Sequence, residues 1–215
     1  MEQQPPLFPG ATGELCMLSI ADDLQLPCIA PLLENAEAEQ LLAELLDNLP
    51  WQQPSVRLFG KSHPVPRLQS WHGDPGTGYR YSGLELQPEP WTPSLSRLRD
   101  RVSELSGRAF NSVLVNLYRD GQDSMGWHAD DEPELGPAPW VASVSLGARR
   151  DFALRRKGSS RTWRSLPLEH NSLLLMPPAM QRRWQHALPK RARVTEPRVN
   201  LTFRRVKVGR RTSDV

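Results

Sequence analysis

Arg198-Val199-Asn200-Leu201-Thr202-Phe203-Arg204 alternates strictly between polar and apolar side chains. A period of two is typical of a β-strand that turns one face toward a core. The apolar members are therefore predicted to be buried. The polar members are predicted to share the opposite face: Arg198, Asn200, Thr202 and Arg204. Such a face normally points to solvent, but two arginines on it can also make bidentate contacts with a dicarboxylic acid.

Short strands separated by turns dominate the second half of the chain. They are predicted at residues 112–118, 141–146, 152–155, 172–176, 184–188 and 198–206. This spacing favours a sandwich or barrel. Two helices are predicted earlier, at residues 34–49 and between a Thr92 cap and Gly107, and they should pack on one face of a sheet. Further short strands are predicted at residues 56–59 and 79–86.

His128-Ala129-Asp130 is the first candidate for a metal site. In extended chain, residues two apart share a face, so both side chains can reach one ion. His186, inside the predicted strand 184–188, is the preferred third ligand, and His170 is its competitor. Two imidazoles and one carboxylate leave coordination positions open, which suits non-haem Fe(II). The remaining histidines, His63 and His72, are predicted to lie at the surface.

Several blocks of sequence together resemble the DNA-repair branch of the AlkB family of dioxygenases. The resemblance covers about residues 55–206. Its blocks are the His128-x-Asp130 motif with His186, the pair Arg198 and Arg204, Asn116-Leu117-Tyr118-Arg119-Asp120-Gly121, His128-Ala129-Asp130-Asp131-Glu132, Ala142-Ser143-Val144-Ser145-Leu146-Gly147, Phe59-Gly60-Lys61, Pro66-Arg67 and Tyr81-Ser82-Gly83. Many ordered blocks are far more specific than one short motif.

The resemblance implies an α+β, mainly β fold: a double-stranded β-helix, or jelly roll, with flanking N-terminal helices and a nucleotide-recognition lid. The proline-rich, polar composition of residues 1–14 predicts a flexible tail, and one catalytic domain is expected at 15–208 with a second tail at 209–215. Within the domain, the lid is expected at about 51–91 and the jelly-roll core at about 110–206.

The resemblance also implies oxidative demethylation of 1-methyladenine and 3-methylcytosine in DNA, with release of formaldehyde, succinate and carbon dioxide. Fe(II) is expected on His128, Asp130 and His186. 2-Oxoglutarate is expected on Arg198, helped by Asn116 and Tyr118, with Asn200 on the same strand face. Arg204 is expected to support Asp130 and the bound base.

Contacts to nucleic acid are implied more loosely. Tyr81 is expected to stack on a flipped base, Asp131 to accept a hydrogen bond from its amino group, and Phe59 to fill the gap left in the duplex. The other expected substrate contacts are Arg67, Ser82, Glu132 and the basic loop Lys190, Arg191 and Arg193. A second basic stretch with Arg155, Arg156, Lys157 and Arg161 is expected to touch the backbone.

Bulk properties bound the remaining choices. The 215 residues suit one domain, and the net charge of +3 hides a basic second half that favours nucleic acid as partner. The two cysteines, Cys16 and Cys28, are expected to be ordinary thiols. No membrane span or signal peptide is expected. The expected protein is a cytoplasmic enzyme, or a nuclear one in a eukaryote, and by default a monomer.

Three other functions remain open at this point. The same demethylation could act mainly on RNA. A dioxygenase could act on a protein or small molecule, although Tyr81, Asp131 and the basic loops disfavour it. The third possibility is a non-catalytic nucleic-acid-binding module, although such a module would need neither intact metal ligands nor both arginines.

Overall fold

The computed structural model describes residues 13–58, 60–81 and 84–207. Within these ranges the chain forms strands and three α-helices. The helices are α1 (Asn35–Asn48), α2 (Pro93–Ser106) and α3 (Pro178–Arg183). The strands are β1 (Glu14–Ala21), β2 (Leu24–Ala30), β3 (Ser55–Leu58), β4 (Lys61–Pro64), β5 (Leu68–Gly73), β6 (Tyr79–Tyr81), β7 (Leu84–Leu86), β8 (Ser112–Tyr118), β9 (Met125–His128), β10 (Val141–Gly147), β11 (Arg150–Arg156), β12 (Arg164–Leu168), β13 (Ser172–Met176), β14 (Trp184–Leu188) and β15 (Arg198–Arg204).

Two antiparallel sheets form the body of the molecule. The larger sheet has the order β1-β2-β13-β10-β15-β8-β5, and the smaller has the order β12-β11-β14-β9. Apolar residues from both sheets, including Phe152, Met176 and Trp184, form a buried cluster between them. This arrangement confirms the predicted mainly β, jelly-roll fold, and it leaves the space between the sheets as the place for a site.

The helices α1 and α2 cover the outer face of the larger sheet, as predicted. Leu41 and Leu45 of α1 and Leu98 of α2 share one buried cluster with residues of β8, β10 and β15. The predicted ends of α2 are also confirmed. The Thr92 hydroxyl accepts a hydrogen bond from Leu95 N at 3.2 Å, and Gly107 takes the left-handed conformation with φ 63°.

The structure adds strands to the predicted plan of tail, lid and core, whose boundaries stay a prediction. β1 and β2, which were not predicted, belong to the larger sheet, and β1 already begins at Glu14, inside the expected tail. β5 lies within residues 51–91, yet it pairs with β8 along its whole length as a strand of the larger sheet. Only the hairpins β3–β4 and β6–β7 stand apart from both sheets. The segments 1–12 and 208–215 lie outside the described residues.

Two further predictions were wrong. Cys16 and Cys28 face each other in the β1–β2 register and form a disulfide rather than separate thiols. His72 is buried rather than at the surface, because β5 carries it into the larger sheet. Its Nδ1 donates to Pro90 O at 2.8 Å, so Nε2 accepts from the Ser70 hydroxyl at 2.8 Å. His63 is exposed, as predicted.

Candidate active site

The three predicted metal ligands meet at the β9 edge of the smaller sheet. β9 and β14 are neighbours, and their register sets His186 opposite His128, with ring centroids 4.1 Å apart. Asp130 follows β9 by two residues. One ligand atom from each side chain can be chosen so that all three lie within 4.8 Å of one another. His170, the competing candidate, is not part of this group; its Nδ1 accepts from Gly147 N at 2.9 Å.

Asp130 is ionised although it is almost fully buried. Burial alone would raise the pKa of its carboxyl group, but the positive charge of Arg204 and the nearby His186 and His128 together hold that pKa well below its usual range. Arg204 Nη2 donates to Asp130 Oδ1. The backbone N–H of Asp130 donates to Gln181 Oε1 at 3.0 Å, which fixes the segment after β9.

The protonation of this cluster suits a divalent metal. Burial, with His128 and Arg204 acting in the same direction, lowers the pKa of His186 to about 3, so its imidazole is neutral. His128 Nδ1 donates to Gly126 O at 2.9 Å, so Nε2 is the ring nitrogen that remains to serve as a ligand atom. Asp130 Oδ2 is buried and has no hydrogen-bond partner among the described residues. Imidazole nitrogens and a buried carboxylate oxygen are the ligands that Fe(II) accepts in open-sided sites.

The polar face of β15 lines the cavity beside this cluster, as its alternation predicted. The opposite side chains, Val199, Leu201 and Phe203, lie in the core under the helices. The cavity is completed by apolar and polar side chains from both sheets. Its lining residues include Leu114, Asn116, Tyr118, Met125, Phe152, Leu168, Met176, Leu188, Arg198, Asn200, Thr202 and Arg204.

Arg198 is a buried cation with no carboxylate partner among the described residues. Only 1% of its surface is exposed, its Nη2 donates to Ser145 Oγ at 2.9 Å, and it lies over the Tyr118 ring at 5.4 Å. Burial lowers the pKa of Arg198 to about 10, with Tyr118 opposing that shift and Arg150 adding to it. A guanidinium that remains charged in the interior is costly without an anion, so this cavity is built for an anionic ligand.

The other predicted cosubstrate residues line the same wall of the cavity but differ in whether their polar groups are already hydrogen-bonded within the protein. Asn116 and Tyr118 line the cavity on β8. Asn200 also lines it, but its amide already donates to Ser143 Oγ at 2.8 Å and Val144 O at 2.9 Å, which joins β15 to β10. Arg67, expected to touch substrate, is buried; its Nε donates to Asn116 Oδ1 at 3.0 Å.

The predicted nucleic-acid contacts stay predictions, and those that the structure describes differ in exposure and pairing. Asp131 is exposed next to the metal cluster and pairs with Lys157 at 2.5 Å, while Glu132 is half-buried. In the basic loop, Lys190 and Arg193 are exposed, but Arg191 pairs with Asp151 at 2.6 Å. Tyr81 ends β6 in the hairpin β6–β7. Phe59 and Ser82 lie outside the described residues.

Two arginines of the basic second half, including Arg156 from the expected backbone contacts, are engaged within the fold. Arg150 is buried and donates to three backbone carbonyls, those of Asp120, Asp123 and Pro189, at 2.8–3.0 Å. Arg156 makes a bidentate pair with Asp23 at 2.7 Å and lies over the Trp184 ring at 4.1 Å. Both join elements of the fold, because a planar guanidinium can satisfy several acceptors at once.

Three residues of the site were missed. Gln181 of α3 positions Asp130, and Phe152 of β11 packs on the His186 ring at 5.0 Å between centroids. Ser145 accepts from Arg198. Only Ser145 had a signal in the sequence, through its place in an alternating strand; Gln181 and Phe152 are recruited by contacts between distant elements.

Comparison with known proteins agrees with this geometry. Residues 25–204 match the model of the 2OG-Fe(II) oxygenase superfamily. The chain is 49% identical over 185 residues to the DNA oxidative demethylase ALKBH2 of Mus musculus, spanning 81% of this chain and 77% of that protein. It is 41% identical over 189 residues to the alpha-ketoglutarate-dependent dioxygenase alkB homolog 3 of Homo sapiens, spanning 83% of this chain and 65% of that protein.

The fold is also found in a solved structure, that of OsALKBH1. It matches with a TM-score of 0.60 and 17% identity, over 84% of this chain and 96% of that one. Among the described residues, no helix is both long and apolar enough to cross a membrane. The matched family model, the identity to these relatives and the His128, Asp130 and His186 cluster lead to one assignment: the chain belongs to the AlkB family of Fe(II)- and 2-oxoglutarate-dependent dioxygenases.

Proposed function

We propose that this enzyme removes alkyl groups from nucleobases in DNA by oxidation, with 1-methyladenine and 3-methylcytosine as substrates. The observation that carries the proposal is one buried cavity that joins a three-residue metal cluster to a buried arginine without a carboxylate partner among the described residues. The name DNA oxidative demethylase, given to relatives 46–49% identical, supports DNA as the substrate.

In this proposal His128, Asp130 and His186 hold Fe(II), and Arg198 holds the distal carboxylate of 2-oxoglutarate. Iron, when bound, would supply the oxidation of the N-alkyl group by dioxygen, with 2-oxoglutarate converted to succinate and carbon dioxide and the alkyl carbon of a methyl group released as formaldehyde. Arg204 keeps Asp130 ionised and oriented through its hydrogen bond to Oδ1. Apolar walls such as Phe152 and Leu168 exclude water from the reacting atoms.

The secondary cosubstrate contacts follow from which groups remain available. Tyr118 and Asn116 lie on the wall beside Arg198 and are proposed to donate to 2-oxoglutarate. Arg67 acts behind Asn116 and sets the orientation of its amide, rather than touching the base. Asn200 supports the wall because its amide nitrogen is engaged within the sheet.

The base is proposed to enter between the cluster and the lid, here limited to the hairpins β3–β4 and β6–β7. A base inside a duplex hides its alkylated edge, so it must be flipped out or unpaired. Tyr81, Ser82 and Phe59 are proposed contacts from the lid, and Asp131 and Glu132 are proposed contacts at the mouth. Exchange of the exposed Asp131–Lys157 pair for a contact to the base costs little, because exposed ion pairs contribute about 0–1 kcal/mol. An enzyme with this substrate works where the genome lies: the cytoplasm of a bacterium or the nucleus of a eukaryote.

The test measures formaldehyde released from oligonucleotides that carry one 1-methyladenine, with Fe(II) and 2-oxoglutarate each present or omitted. Single-stranded DNA, duplex DNA and RNA of the same sequence are compared. Release from DNA that requires both cofactors is the expected result. Preferential release from RNA would mean that RNA, and not DNA, is the main substrate. Consumption of 2-oxoglutarate without formaldehyde release from any oligonucleotide would overturn the proposal.

A matched pair of variants tests the ligand assignment. His186→Ala should abolish formaldehyde release and binding of Mn(II), a stand-in for Fe(II) that does not oxidise, because one of three ligands is lost. His170→Ala removes the other candidate imidazole, which lies outside the cluster. Loss of Mn(II) binding in His170→Ala, with retention in His186→Ala, would reassign the third ligand.

A further inference from the structure

Trp163 is held in solvent in a fixed orientation. Its exposed fraction is 58%, and the only other large apolar side chain of comparable exposure in the described ranges is Met17, at 53%. The backbone N–H of Trp163 donates to Leu154 O at 2.7 Å, and its indole N–H donates to Ile20 O at 3.1 Å. The ring meets the buried Trp184 edge-on, at 5.9 Å and 82°. One aromatic face is thus presented to solvent with little rotational freedom left to lose on binding.

Trp163 borders a groove lined by two arginines, of which Arg156 is already paired with Asp23 and Arg161, within the described part of the chain, is not. The groove has a volume of about 430 Å³ and is lined by Arg156, Ser159, Arg161, Thr162 and Trp163. Arg161 is exposed and forms no ion pair with any residue that the structure describes. Arg164, the next residue after Trp163, is exposed as well, and its Nη1 donates to Ser19 O. A rigid aromatic face beside cations is complementary to an anion that also carries flat rings.

The groove is joined to the mouth of the active site. Lys157 lies in the turn that leads into it, and it pairs with Asp131 at 2.5 Å. Asp131 directly follows the metal ligand Asp130. The Lys157–Asp131 pair therefore links the segment that enters the groove to the segment that follows the metal ligand.

We infer that Trp163 is a stacking platform for an unpaired base of a nucleic-acid strand whose lesion occupies the active site. This inference rests on the proposed function. Arg161 and Arg164 contact phosphates of the same strand. Since the faces of duplex bases are covered by their neighbours, the platform favours single-stranded substrates. An acidic peptide would match the arginines but offers no regularly spaced ring for the indole face.

The experiment measures binding of an unmodified, labelled single strand of about 15 nucleotides by fluorescence anisotropy, over a range of salt concentrations. Trp163→Ala should weaken binding about tenfold without changing the salt slope, because one stacking contact is lost. Arg161→Gln should lower the slope of log affinity against log salt by about 0.7, because one phosphate contact is lost. Trp163→Phe should restore most of the affinity. Met17→Ala, which removes the other exposed apolar side chain, should bind as the wild type does.

The competing outcomes are distinct. Equal affinity of Trp163→Ala and the wild type for the single strand would overturn the inference, as would an equal loss for a blunt duplex of the same sequence. Arg161→Gln, which disturbs no packed ring, decides the matter if Trp163→Ala does not fold. If the wild type binds neither strand nor duplex and releases no formaldehyde, the proposed function fails. If demethylation is observed but the Trp163→Ala variant binds the single strand normally, only the stacking inference fails and the proposed function stands.

Discussion

Asp130 shows at the scale of one residue how the fold controls a charge. Its carboxylate sits in the interior, where burial favours the neutral form, yet the adjacent Arg204 guanidinium and two imidazoles keep it ionised. Arg204 occupies Oδ1, so Oδ2 is left for the ligand cluster. Arg204 thereby acts on the metal through Asp130.

Replacement of Arg204 with Gln should weaken metal binding by roughly 10–100-fold, the usual effect of losing a group that orients a ligand. Without the positive charge of Arg204, the pKa of the Asp130 carboxyl group should rise. Because protons then compete more strongly with the metal for this carboxylate, the loss of Mn(II) affinity should grow as the pH falls. Calorimetric titration with Mn(II) measures both effects. Arg205→Gln alters the exposed neighbouring arginine and serves as control; equal Mn(II) affinities of the two variants would contradict the assigned role.

A second prediction at this scale concerns Arg198. Its replacement with Gln should weaken 2-oxoglutarate binding by roughly tenfold to a hundredfold, because a buried charge-assisted contact contributes about 1.5–3 kcal/mol. Titration of 2-oxoglutarate into the Mn(II)-loaded variant gives the affinity directly. Ser145→Ala removes only the group that positions Arg198, and a smaller loss is expected there. If Arg198→Gln binds 2-oxoglutarate normally, another group must hold the cosubstrate.

At the scale of elements, the turn between β8 and β9 anchors the basic loop after β14. Gly121 N donates to Val194 O at 2.8 Å, and Arg191 N donates to Gly121 O at 2.7 Å. A Cβ atom added at Gly121 would overlap the carbonyl oxygen of Arg191. The turn thus requires glycine because of the close approach of another backbone.

Gly121→Ala should lower the free energy of unfolding by about 1–3 kcal/mol, since the loop must shift to admit the methyl group. Urea unfolding measures the change. Gly126→Ala in β9 is the matched control, because no atom lies within 4 Å of the position its Cβ would take. Equal free energies of unfolding of the two variants would mean that the loop moves away from the added methyl group at no cost, which would contradict the anchoring role of the turn.

At the scale of the whole molecule, burial of neutral histidine links stability to pH. Burial, opposed by a hydrogen bond to Pro90 and by Glu89, lowers the pKa of His72 below its ordinary value of 6.5. The unfolded chain therefore takes up a proton below about pH 6.5 that the folded chain resists. This contribution to stability is present at neutral pH and is lost as the pH falls from 6.5 toward the folded-state pKa.

His72→Asn should reduce this acid sensitivity. We expect the difference in unfolding free energy between about pH 7.5 and about pH 5.5 to be smaller in the variant than in the wild type. Urea unfolding of both proteins with a chelator present makes the comparison, because the depressed pKa of His186 then contributes equally to each. Parallel pH dependence of the two proteins would show that His72 does not contribute.

Local patterns in the sequence predicted a large part of this molecule. The alternation in 198–204 predicted which face of β15 enters the core, because side chains on a strand alternate. Thr92 and Gly107 predicted the ends of α2, because caps act within a turn of the chain. The spacing of His128 and Asp130, with the strand around His186, predicted the metal cluster.

Only the tertiary structure decided which charged residues face solvent and which join elements. Arg150 and Arg156 look like surface cations in the sequence, but they donate hydrogen bonds to carbonyls and to a carboxylate from distant segments. His72 is buried because β5 pairs with β8, and Gln181 reaches Asp130 because α3 leads into β14, the neighbour of β9. The sequence by itself thus determined strand faces, helix ends and ligand types, which depend on near neighbours along the chain. The partner of each buried charge, and the exposed ring of Trp163 beside its cations, depend on contacts between residues far apart in sequence, and only folding creates those.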